Sequence, residues 1–121
     1  MLAGVASLAH VAFFLMESVL FSRPAVWRGF GVTSQPDADV MRPMAFNQGF
    51  YNLFLAAGAA GGVVAVATTH RVAGEAWLVL ACGSMVLAAL VLVATDRRFI
   101  GASLLQGVPP AAALAALAVA H

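Results

Sequence analysis

Two ionisable side chains, His10 and Glu17, stand seven residues apart inside the first apolar run of the sequence. A histidine and a carboxyl group sharing a site can run the acid and the base step of one reaction. At helical pitch they lie within about 20° of each other around the axis and roughly 10 Å apart along it. They therefore share a face but need a third group to connect them. Candidates follow in the second apolar run, where Asn47, Gln48, Tyr51 and Asn52 fall at i, i+1, i+4 and i+5, an arc of about 140° on a helix. Gln106 adds an amide in the last run, just before Pro109 and Pro110. Those prolines are expected to interrupt their helix and leave the carbonyls of Leu105 and Gln106 without their usual donors, as happens where backbone lines a cavity.

The elements that must hold these residues are membrane helices. The chain has 121 residues, of which 63% are apolar and 9% charged, against roughly 25% charged in an ordinary soluble domain. So much Leu, Val and Ala without a matching polar exterior implies a surface facing lipid. A span needs about 20 apolar residues, and four stretches qualify, near 2–21, 44–68, 76–95 and 101–120. The expected fold class is thus all-α: one integral membrane four-helix bundle with a long first loop from Ser22 to Pro43. Gly29, Gly31, Pro36, Asp37 and Asp39 mark that loop as turn-rich. No basic region precedes the first run, so it reads as a retained span, not a cleaved leader. No internal repeat is evident.

Inside a span an ionisable group costs roughly 2.5–3.5 kcal/mol and normally faces the protein interior. Glu17 carries that cost unless a cation reaches it, and Arg23, Arg42 or the Arg97-Arg98 pair can snorkel toward it. Gly58 and Gly62, in G-x-x-x-G spacing, and the Ala-rich ends of the last two spans predict close backbone packing at the other end. The expected outcome is a polar pocket in the cytoplasmic half of the bundle, closed toward the far side. All six basic residues are Arg. The first and third connections hold five of them and the second only Arg71, which places both termini on the non-cytoplasmic face. Trp27 and Trp77 fit aromatic belt positions at the two interfaces.

Taken together, His10 with Glu17, the run Asn47-Gln48-Gly49-Phe50-Tyr51-Asn52, and Gln106 with Pro109 resemble the small bacterial membrane proteins catalogued as domain of unknown function 1304. The resemblance covers nearly the whole chain, and the Asn-Gln-Gly-x-Tyr-Asn element is its most specific part. Phe21 stands where that family often carries an aromatic after its Glu, and the first loop is the more divergent segment. The resemblance implies a four-helix membrane protein, in a bacterial inner membrane, without an assigned reaction or ligand.

Three function classes remain on these residues. The leading one is a cofactor-independent intramembrane enzyme acting by acid–base catalysis on a small lipophilic substrate, such as an isomerase, a cyclase or an epoxide-opening enzyme. Here His10 and Glu17 are catalytic, while Asn47, Gln48, Tyr51, Asn52 and Gln106 bind the substrate. The second is a binding or proton-coupled transport module, for which four helices are few unless the chain forms a homo-oligomer. The third is an accessory membrane subunit. His10 can also serve as an interhelical hydrogen bond, with haem ligation the minor alternative, but zinc would want three or four ligands and no such set is present, so no metal site or cofactor is assigned. Cys82 is the sole cysteine and, with Ser84, reads as packing; His70 and His121 are exposed ends. A net charge of +1 offers no footprint for nucleic acid, and no nucleotide-binding or nucleophile-elbow motif occurs.

Overall fold

The computed structural model describes residues 2–120, so His121 lies outside the described residues, and it is all-α. Helix α1 spans Leu2–Phe14 and passes into a π-helical turn, Leu15–Val19. The short α2, Pro24–Gly29, precedes the long α3, Gln35–Val66. Then come α4, Arg71–Thr95, a 3-10 turn, Arg97–Phe99, and α5, Ile100–Val119. Among the described residues, four helical stretches are long and apolar enough to cross a membrane. Large apolar side chains point outward along them, Leu8 being 72% and Leu87 64% exposed, as a lipid-facing surface requires.

Contacts divide the chain into two compact units, one holding residues up to His10 and from Leu55 onward, the other Val11–Phe54. In the first, small residues carry the packing: Ala3, Ala6, Ala59, Ala81, Cys82 and Met85 form its buried core. A β-carbon added to Gly62 would lie 3.0 Å from the Gly74 carbonyl oxygen, and one on Gly74 2.8 Å from that of Gly62. The backbones of α3 and α4 therefore touch, as the G-x-x-x-G spacing predicts. Between α4 and α5, Ser103 Oγ donates to the Ala89 carbonyl at 2.6 Å, and a β-carbon on Gly107 would come within 2.8 Å of Ala89 Cβ. Contrary to expectation, Pro109 and Pro110 do not interrupt α5. Both remove a donor, but Pro110 is packed in the interior, where neighbouring helices keep the turn in place.

The second unit corrects the reading of the first loop, because helix occupies much of it. Pro24 opens α2, with its fixed φ suited to a first turn. Gly31, at φ 80°, ends it. The Val32 N–H donates to the Trp27 carbonyl and the Gly31 N–H to that of Arg28, the paired bonds of a Schellman cap. Val32 and Trp27 then pack together with Phe21 and Ala38. Trp27 is thus buried and not a belt residue, and its indole N–H donates to Gln35 Oε1 at 3.3 Å. Helix α3 starts nine residues before the expected Met44, because Ser34 caps it. The Asp37 N–H donates to Ser34 Oγ, which donates in turn to Asp37 Oδ2 at 2.6 Å, closing the first turn as a capping box does.

Candidate functional site

The site of interest lies in the second unit, where α1 widens. The Leu20 N–H donates to the carbonyl of Leu15, five residues back, at 2.9 Å. Such π-turns insert a residue into a helix and often occur at functional positions. Glu17 and Ser18 sit on this turn, so the angular offset calculated at helical pitch does not apply beyond Phe14. Both side chains reach α3. Ser18 Oγ donates to the Phe46 carbonyl at 2.7 Å, and Asn52 Nδ2 donates to Glu17 Oε2 at 2.7 Å. Among the described residues, Glu17 Oε1 accepts no hydrogen bond.

Gly49 makes this approach possible. Phe46, Gly49 and Asn52 follow at three-residue steps along one face of α3, the spacing at which helical positions stack. A β-carbon on Gly49 would collide with Ser18 Oγ and stand 3.1 Å from Glu17 Cβ. On the same two helical stretches, Phe14 meets Phe50 edge-on at 5.2 Å between centroids, and Phe46 and Phe54 continue the series at 5.0 and 6.2 Å from Phe50. Glu17 is therefore fixed by one amide donor, in a stretch of sequence that is otherwise largely apolar.

Of the residues singled out from the sequence, the structure brings Glu17 and Asn52 together. Asn47, Gln48 and Tyr51 are exposed, because the buried face of α3 runs through Gly49, Asn52, Ala56 and Ala59. Asn52 lies at the edge of the predicted polar arc and turns inward alone. His10 is fully buried in the first unit, where its Nδ1–H donates to the Ala6 carbonyl at 3.0 Å. Gln106 is half-buried on α5 of the same unit. Two site residues escaped the sequence reading, Ser18 and Gly49. A glycine amid polar residues of a helix was a usable signal of close backbone approach, whereas nothing local marks Ser18. Among the described residues no three His, Cys, Asp or Glu side chains gather as a metal set would require. The groups that do gather offer proton transfer at a carboxyl and hydrogen bonding from an amide.

Fold and site together define a polytopic helical protein of membrane type, with a carboxylate held inside one of its apolar helices. More particularly, the chain belongs to the family described as "Protein of unknown function (DUF1304)", whose model matches residues 4–118. No curated protein and no solved structure matches the chain.

Proposed function

We propose that this protein sits in a bacterial inner membrane with both termini on the non-cytoplasmic face and catalyses acid–base conversion of a small lipophilic molecule, with Glu17 as the proton carrier. The observation that carries this reading is the 2.7 Å bond from Asn52 to Glu17 Oε2 on a π-turn. With Oε2 engaged as an acceptor, the proton of the acid form resides on Oε1 and can be given to a substrate double bond or epoxide oxygen. In an isomerisation, the carboxylate recovers a proton from the neighbouring carbon; in an epoxide hydration, water adds to the carbon whose C–O bond breaks and gives its proton back to the carboxylate, so in either case the enzyme ends as it began. Phe14, Phe46 and Phe50, on the helical stretches that carry Glu17 and Asn52, offer apolar surface to a substrate that arrives from lipid.

The test compares the small molecules extracted with wild type and with Glu17→Gln, which retains the shape and the hydrogen bond from Asn52. The variant is expected to carry a lipophilic compound that added wild-type protein converts to an isomer or a hydration product. Loss of a positioned general acid typically costs about 100-fold or more in rate. Identical extracts from the two folded proteins, unchanged on mixing, would overturn the assignment.

A further inference from the structure

Beside the π-turn lies a second feature that the acid–base reading does not use. A cavity of about 500 Å³ is lined by Ser18, Phe21, Ser22, Arg42 and Phe46, among others. It combines a cation and hydroxyl groups with aromatic surface. Arg42 is exposed and, among the described residues, makes no ion pair. The nearby acids are otherwise engaged, Asp37 with Ser34 and Asp39 with Gln35. Past the π-turn, the Phe21 and Ser22 N–H groups donate to no backbone carbonyl among the described residues. An arginine fork, a serine hydroxyl and spare backbone donors form the kind of set that takes phosphate oxygens.

We propose that this cavity seats the phosphate headgroup of a membrane amphiphile. A lipid-borne phosphate is favoured over a free one by position. The apolar run of α1 and its π-turn ends at Val19, and that of α3 begins at Met44, so Ser22 and Arg42 stand at the level where lipid headgroups lie. Phe21 and Phe46 give the first carbons of the chains an apolar surface. Glu17 is the chain neighbour of Ser18, which belongs to the lining of this cavity. The substrate class is then a lipophilic molecule with an anionic phosphate head, a conclusion that rests on the Glu17 reading for what happens after binding.

Native mass spectrometry of the full chain in neutral detergent tests the seat, with phosphatidylglycerol, a diacylglycerol of the same chains, and inorganic phosphate as probes. Wild type is expected to retain phosphatidylglycerol over diacylglycerol. Arg42→Gln should lose about tenfold or more of that preference, as expected for a charged hydrogen bond. Arg42→Lys, which keeps the charge without the fork, should recover part of it. Equal retention of phosphatidylglycerol by wild type and Arg42→Gln overturns the seat and leaves the Glu17→Gln comparison untouched. Binding of inorganic phosphate as tight as that of the lipid overturns the lipid as its source. Loss of preference in Arg42→Gln, with unchanged extracts from Glu17→Gln, keeps the seat and removes the reaction.

Discussion

At the scale of single residues, the glycines of this chain separate by what a side chain would meet. Alanine is favoured over glycine in a helix interior by about 1 kcal/mol, so Gly→Ala should stabilise wherever space is open. At Gly83, in α4, nothing lies within 4 Å of an added β-carbon, and Gly83→Ala should gain up to that amount. At Gly49 the new methyl would meet Ser18 Oγ, the Ser18 backbone nitrogen at 3.0 Å and Glu17 Cβ at 3.1 Å. Two of these neighbours are not the free ends of flexible chains, so the π-turn or α3 must move. Overpacking of this kind costs about 1–3 kcal/mol, which outweighs the propensity gain. Titration with a denaturing detergent should show Gly49→Ala unfolding earlier than wild type and Gly83→Ala no earlier. The site's geometry thus depends on a residue with no side chain at all.

At the scale of elements, the ends of the helices are set by short polar signals within apolar sequence. The stretch from Ser34 to Asp37 starts α3, and its form, Ser-x-x-Asp, was readable in advance as a capping box. Its meaning was obscured by Pro36 and Pro43, which suggest loop. Pro36 instead falls in the first turn, where no N–H is needed, and Pro43 lies inside a helix that continues through it. Between α4 and α5, Asp96 caps the 3-10 turn by accepting from the Arg98 N–H at 2.9 Å while its other oxygen takes the Arg98 guanidinium at 2.7 Å. Arg98 thereby holds the Asp96 carboxyl below the usual carboxylate range. Since the folded form binds its proton less readily than the unfolded chain, the turn's contribution is complete above the unfolded value of about 3.9. It is lost as the pH falls through the lower folded value. Hydrogen exchange at the Arg98 amide, corrected for its intrinsic rate, should stay protected at about pH 5 and lose protection only in stronger acid. In Asp96→Ala it should be unprotected throughout.

At the scale of the whole molecule, α3 has 32 residues, about 48 Å at 1.5 Å per residue, against ~30 Å of hydrocarbon. Its start must therefore stand clear of the apolar layer if its end spans it, and Asn47 and Gln48 face outward within the first turns of the apolar stretch that begins at Met44. Cysteines placed at Thr33 and Thr69 in a Cys82→Ala background should accordingly label from opposite sides of sealed vesicles, Thr33 from the cytoplasmic side. Labelling of both from one side would refute the topology. Composition and run length alone determined that the chain is all-α with four membrane-length helices, because hydrocarbon leaves a backbone few ways to satisfy its own polar groups. Glycine spacing likewise foretold close backbone packing in the later half of α3, which Gly62 makes with Gly74. Which polar residues meet was decided only by the tertiary structure. A helical wheel places Asn47, Gln48, Tyr51 and Asn52 on one arc, but the buried face of α3 is chosen by small residues that fit a neighbour, and only Asn52 shares it. The widening of α1 at Glu17 has no local cause in propensity. It coincides with long-range bonds to Phe46 and Asn52, across a gap that Gly49 leaves open.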